Sequence, residues 1–192
     1  DSVDLTRELR PVAPQAVRVD IGDLGGPLDP AALDRWLALT LAALSADLVG
    51  LMDAALEAAV SHVSSREQFG VPVGTFQAVQ HLASEAKVSA EAAHGLACYA
   101  GWAIDALDLE QALLAARTAK AYCSERAREV IEASMQLHGG VAFTWEYNVH
   151  VLARRALLSR QTLGDEHAQL DVIADGRVFG SQEKGRGFGL PR

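Results

Sequence analysis

The sequence predicts an all-α protein, an antiparallel four-helix bundle with a short extended arm at its N-terminus. Three observations carry this. From Asp29 onward, apolar residues recur near every 3.6 positions over long stretches, the period of a helix with one buried face. The breaks in that period fall on clusters of glycine and proline, and the connections between stretches are short, so neighbouring helices run antiparallel. Hydrophobic residues make up 49% of the 192 residues and charged residues 22%, enough apolar material for the core of one domain.

The first thirty residues differ from the rest. They hold four of the six prolines, and Val17, Val19 and Ile21 alternate with Arg18 and Asp20. That alternation reads as one short strand or extended arm over 15–21, followed by a turn at Gly25-Gly26-Pro27. The arm is assigned to residues 1–28, the bundle to 29–175 and a flexible, glycine-rich tail to 176–192.

The first helix starts at Asp29-Pro30, where Asp can accept from free amides and Pro fits the first helical position. Leu33, Leu37, Leu41, Leu44, Leu48, Leu51, Leu56 and Val60 carry it to about Ser64, where Gly70, Pro72 and Gly74 follow. A second helix reads from Thr75 to about Leu107 through Phe76, Val79, Leu82, Ala86, Ala93, Leu96, Ala100 and Ile104. Asp108 reads as the N-cap of a third, with Gln111 placed as its capping-box partner. That helix runs to about Leu137, and Gly139-Gly140 ends it. A fourth spans about Val149 to Ala174, with a break near Gly164.

Composition excludes several classes. A formal net charge of −8 leaves no excess of Lys and Arg to neutralise phosphates, so a general nucleic-acid binder is ruled out. Two cysteines, Cys98 and Cys123, make no disulfide scaffold; both fall on apolar helix faces and read as small buried hydrophobes. The opening DSVDLTRELR shows no secretory pattern, and Asp34, Asp47, Asp53 and Glu57 interrupt the longest apolar stretches, so no membrane span is expected. The expectation is a soluble, cytoplasmic domain.

Glu91 and His94 have the i, i+3 spacing of a carboxylate-bridged metal site. Such a site needs a second pair and two more glutamates, which are missing, so the pair reads as a surface coincidence and no metal is expected. Two segments carry more chemistry. In Arg66-Glu67-Gln68-Phe69-Gly70, followed by Phe76-Gln77, an Arg offers a planar fork for phosphate, a Phe offers a face for a ring, and a helix start offers free amides. In Gln136-Leu137-His138-Gly139-Gly140, two glycines allow a ligand close to the backbone. Each segment also reads as a plain helix-ending turn.

Taken together and in this order, these segments resemble the C-terminal helical domain of acyl-CoA dehydrogenases. The pattern is R-x-x-F-G…F-Q, here Arg66, Phe69, Gly70, Phe76 and Gln77. About sixty residues further on comes Q-x-x-G-G-x-x-[FY]-T, here Gln136, Gly139, Gly140, Phe143 and Thr144, and then Arg154-Arg155. The resemblance covers about residues 29–175, and the opening DLTREL is similar to the close of that family's middle β-domain. It implies an FAD site shared across a subunit interface. Arg66, Phe69 and Gln77 would meet the pyrophosphate and adenine side of FAD. Gln136, Gly139 and Gly140 would meet the cofactor of the neighbouring subunit.

The chemistry implied by the resemblance is α,β-desaturation of an acyl-CoA thioester, with a flavoprotein as electron acceptor. A carboxylate removes the α proton. In most members that Glu sits after the Arg-rich helix; here Leu163 occupies the position, with Gly164 matching the glycine that follows. In others it sits on the first long helix, where this chain has Thr40. Both positions lack a carboxylate, and Asp165, Glu166 and Asp34 are the nearest substitutes. The chain therefore resembles the non-catalytic partner in heteromeric dehydrogenases of bacterial steroid breakdown. The alternatives are a displaced-carboxylate enzyme and a structural helical bundle. At 192 residues the chain is also short for that family, in which an N-terminal helical domain and a β-domain precede the bundle. That length implies a fragment, or a homo- or hetero-oligomer with chains carrying those domains.

Overall fold

A computed structural model describes residues 3–8, 26 and 29–178. The expected strand over 15–21 and the tail beyond 178 lie outside the described residues. The remainder is an all-α bundle. α1 spans Pro30–Ser65, α2 Gln77–Ala106, α3 Leu109–His138, α4 Val149–Gln161 and α5 Glu166–Val178. The fourth predicted helix is thus split at Gly164 into α4 and α5, and α5 runs past the expected end at Ala174. A hairpin absent from the sequence reading joins α1 to α2. Its strands β1, Glu67–Gln68, and β2, Val71–Pro72, pair antiparallel.

The helix ends follow local chemistry. Pro30 sits at the first turn of α1, but Asp29 caps it without its side chain; its carbonyl accepts from Ala32 and Leu33 at 2.9 and 3.1 Å. Asp108 does cap α3, its Oδ1 accepting from the Gln111 amide at 2.9 Å. Gly139, at φ 68° and ψ −145°, closes α3 in a backbone region that side chains avoid.

α3 is central and packs against α1, α2, α4 and α5. The main core joins Leu48, Met52 and Leu56 of α1 to Cys123, Ala127, Val130 and Ile131 of α3. α2 contributes mostly alanines, and Ala90, Ala93, Ala100 and Ala103 are fully buried or nearly so. Small side chains there let the α2 and α3 backbones come close. Where an aliphatic side chain is fully buried, as at Leu41 and Leu48, it adds about 1.5–3 kcal/mol.

α1 is long and apolar enough to cross a membrane by length and composition alone, with a window of mean hydropathy 1.6. In the bundle it is a core helix instead. Of its four carboxylates, the half-buried Asp47 accepts from Arg155 of α4, from Ser159 at 2.7 Å and from Arg7 at 2.8 Å. The segment 3–8 is clasped there too. Asp4 is buried and holds Thr6 at 2.7 Å, and Thr6 accepts from Arg155 at 3.2 Å.

Candidate functional site

The two singled-out segments meet at one end of the bundle. Arg66 is the last residue of α1's cap, its amide donating to the His62 carbonyl at 2.9 Å. The chain then turns back through Phe69 and Gly70, at φ 56° and 82°. Two left-handed residues in succession make a tight hairpin of the kind that twists with its strands. Gly70 adopts this freely; Phe69 does so under strain, with its ring 92% exposed at the tip. Gly74 then passes close to α1, where an added Cβ would lie 3.0 Å from the Val63 carbonyl oxygen. Phe76 precedes α2 with no side-chain cap, so the first amides of that long helix remain available.

α3 delivers the second segment to the same place. Arg66, Ala78 and Val79 from one side and Gln136, Leu137 and Gly139 from the other line a groove of about 350 Å³. Gln136, Gly139 and Gly140 are exposed, and a Cβ placed on either glycine would meet nothing within 4 Å. The resemblance divides the two segments between a cofactor and its neighbour's; the fold brings Arg66, Gln136 and Gly139 onto a single groove. Phe69 and Phe76, between Arg66 and α2 in the chain, meet edge to face with ring centroids 6.3 Å apart, and Gln77 is exposed at the start of α2. The arrangement suits an elongated ligand with an anionic centre and a planar ring.

A histidine cluster forms the floor and was not read from the sequence. His62 stacks on His138 at 4.9 Å, and its Nδ1 lies 3.1 Å from the Tyr147 hydroxyl. Burial, then the nearby His138 and Arg66, holds the His62 imidazole below its ordinary pKa. The 85-residue separation of His62 and Tyr147 hid this contact from any local pattern.

The carboxylate candidates lie elsewhere. Leu163 sits in the α4–α5 turn at φ 59°, partly exposed, followed by Gly164 at φ 94°. Glu166 is buried and held by two donors along one edge of the Arg160 guanidinium, Nε to Oε2 at 2.8 Å and Nη2 to Oε1. The Arg160 hydrogen bond keeps its carboxyl below the usual range, the opposite of what a proton acceptor poised near neutrality needs. Asp165 is half-buried, and its Oδ1 accepts from the Ala168 amide at 3.1 Å. His167 stands beside these two, and the three can bring ligand atoms within 4.8 Å of one another, but Arg160 already occupies the Glu166 carboxylate. Asp34 is half-buried near the start of α1, and the Thr40 hydroxyl donates to the Trp36 carbonyl at 2.8 Å.

Glu91 and His94 are both exposed on α2, and Glu91 pairs with Lys87 at 2.5 Å. Cys123 is buried as expected, and burial pushes its thiol up to about 12. Cys98 departs from expectation: it is exposed, on an α2 face that also carries the exposed Tyr99 and Trp102 and that no helix covers among the described residues.

Fold and groove together define an all-α domain with an open groove at one end. The sequence profile described as "Acyl-CoA dehydrogenase, C-terminal domain" matches residues 32–177. Acyl-CoA dehydrogenase IpdE2 of Mycolicibacterium smegmatis is 31% identical over 169 residues, which is 88% of this chain and 49% of that protein. IpdE2 of Mycobacterium tuberculosis is 34% identical over 139 residues, 70% of this chain and 41% of that protein. Among solved structures, the Tcur3481-Tcur3483 steroid ACAD superposes with a TM-score of 0.77 at 32% identity, over 82% of this chain and 43% of that one. Butyryl-CoA dehydrogenase from Megasphaera elsdenii gives 0.72 at 26% identity, over 80% of this chain and 40% of that one. The chain belongs to the acyl-CoA dehydrogenase family, a family of oxidoreductases, and carries its C-terminal domain. It spans about half the length, or less, of the curated relatives it matches.

Proposed function

We propose that this chain is the C-terminal part, or a subunit, of a cytoplasmic FAD-dependent acyl-CoA dehydrogenase, that it supplies cofactor contacts across a subunit interface, and that it brings no base of its own. The observation that carries the reading is the convergence of Arg66, Gln136 and Gly139 on one groove beside the uncapped start of α2. These residues fit FAD. The guanidinium and the helix amides suit the pyrophosphate, Phe69 gives a face to a ring, and the paired glycines let the cofactor lie against the backbone.

When bound, the flavin supplies the hydride acceptor for α,β-desaturation. This chain's residues bind and orient the cofactor and shield its groove. The α proton needs a carboxylate, and Leu163 and Thr40 offer none. Glu166 is committed to Arg160. In this reading the proton passes to a Glu supplied from outside these 192 residues. Trp102, Tyr99 and Val88 on α2 and Phe143 and Trp145 after α3 are all exposed, as expected of a surface that awaits a partner. The likeness to the steroid ACAD supports a heteromer acting on a steroid-derived or fatty acyl thioester, with an electron-accepting flavoprotein downstream.

Intact mass and flavin absorbance of the purified assembly test this together. The expected result is FAD and a second chain type, and an assembly that neither contains nor takes up FAD overturns the reading. Within it, Arg66→Ala should weaken FAD binding by about 1.5–3 kcal/mol, measured by flavin retention on dilution. Unchanged retention removes Arg66 from the site.

A further inference from the structure

The floor of the groove holds three rings that the cofactor reading leaves without a task. His62 lies one helical turn before Arg66 on α1, so the two side chains share a face, and both line the groove. His138 comes from α3 and stacks on His62, the rings 20° from parallel and their centroids 4.9 Å apart. Tyr147, in the loop before α4, meets both edge-on, at 5.3 Å from His62 and 5.1 Å from His138.

Hydrogen bonding fixes where a proton can sit. His138 Nδ1 lies 2.7 Å from the Ser134 carbonyl oxygen, which only accepts, so Nδ1 carries the hydrogen and Nε2 a lone pair. That Nε2 is buried without a partner, in a side chain 5% exposed. Lys120, fully buried on the same helix, differs: its Nζ donates to Ser124 Oγ and to the Arg160 and Gly164 carbonyls. A second proton on His138 would put a charge in a buried ring with no acceptor for it. His62 is the less costly seat, because it is half-buried and borders the groove. The Tyr147 hydroxyl, 3.1 Å from its Nδ1, can donate to the neutral ring or accept from the charged one. In the second case the hydroxyl hydrogen turns away, and His138 Nε2 is the unmet acceptor of the cluster.

Arg66 from the same helix, His138 from α3 and Tyr147 from the loop are the titratable or charged groups that face His62, while α2 brings Ala78, Val79 and Leu82. The charges of His138 and Arg66 both disfavour an imidazolium there, and no carboxylate among the described residues offsets them. An anion seated on Arg66 reverses the balance, since it offsets the guanidinium and attracts a cation one turn away.

We infer that His62 is a proton-dependent anion contact: a pyrophosphate held by Arg66 draws a proton onto His62, so the groove takes up a proton as it takes up FAD and holds FAD more tightly as the pH falls. This rests on the reading of the groove as a cofactor site. The sign follows from linkage. The empty groove keeps His62 neutral down to below its ordinary value of 6.5, the filled groove protonates it at a higher pH, and affinity rises as the pH descends between the two.

The test dilutes the FAD-containing assembly from pH 8.5 to pH 5.5 and reads the Kd from recovered flavin fluorescence. The pyrophosphate of FAD is a diester and keeps its charge over this range, so a slope belongs to the protein. The Kd should fall about tenfold across it, the effect of moving one titration by one pH unit. His62→Phe keeps a ring in the stack but takes no proton, and its profile should be flat at the native high-pH value. His138→Phe should keep the slope. A merely structural His62 would change stability in the variant and leave the slope in place. If His62→Phe does not assemble, His62→Gln, which keeps a polar partner for Tyr147, carries the comparison. A flat native profile, a slope that survives loss of His62, or one that vanishes only with His138 overturns the inference alone. An assembly that holds no FAD at any pH overturns the functional reading beneath it.

Discussion

Phe69 concentrates a conflict between stability and binding. A side chain at φ 56° costs about 1–2 kcal/mol relative to one that tolerates the left-handed region. Its ring, almost wholly exposed, recovers little of that within this chain. Such strain persists where a ligand or partner uses the ring. Phe69→Asn should therefore raise the unfolding free energy by about 1 kcal/mol while loosening FAD. Parallel denaturant melts and flavin-release rates check this, and a variant that loses stability would show that the ring packs within the chain. The sequence exposed this residue by motif, but not its conformation, because the left-handed state follows from hairpin closure between Gln68 and Val71.

At the scale of elements, the joints were less legible than the helices. Long apolar periods located α1, α2 and α3 to within a few residues, and Asp108 marked a real cap. The hairpin was missed because strands of two residues leave no alternation to detect. Lys120 was missed for a different reason. It falls on the buried stripe of α3, with Ala116, Cys123 and Ala127, where a polar residue invites the assumption of a helix edge. Two of its three acceptors are the main-chain oxygens of Arg160 and Gly164, 40 and 44 residues away, which no side-chain pattern reports.

The clasp around Asp47 joins α1, α4 and segment 3–8, and it carries a pH signature. Burial raises the Asp47 carboxyl, but hydrogen bonds from Arg155 and Ser159 and the charges of Arg155 and Arg7 outweigh it, so the net shift is downward. A carboxylate with a depressed folded-state pKa stabilises fully above its unfolded value, here 3.8, and that contribution disappears as the pH falls through the folded value. Urea midpoints from pH 7 to pH 3 should fall more steeply for the native chain than for Asp47→Asn. Equal slopes would remove Asp47 from the acid response.

At the scale of the whole molecule, one groove gathers the residues proposed to hold a cofactor, while Glu166 is held by Arg160 and neither Leu163 nor Thr40 carries a carboxylate. The face of α2 around Cys98 shows why burial was the least legible property in the sequence. Apolar periodicity marks a face that will be covered, but not whether this chain or another covers it.

All three tryptophans, Trp36, Trp102 and Trp145, are more than half exposed. Intrinsic fluorescence is thereby inverted in meaning for this chain. Emission from the isolated chain should already lie close to that of indole in water, and denaturant should move it little even as the helices melt. A blue shift should instead report association, arising as a partner dries whichever indole it covers. A large red shift on unfolding the isolated chain would place these indoles in a dry environment before any partner arrives.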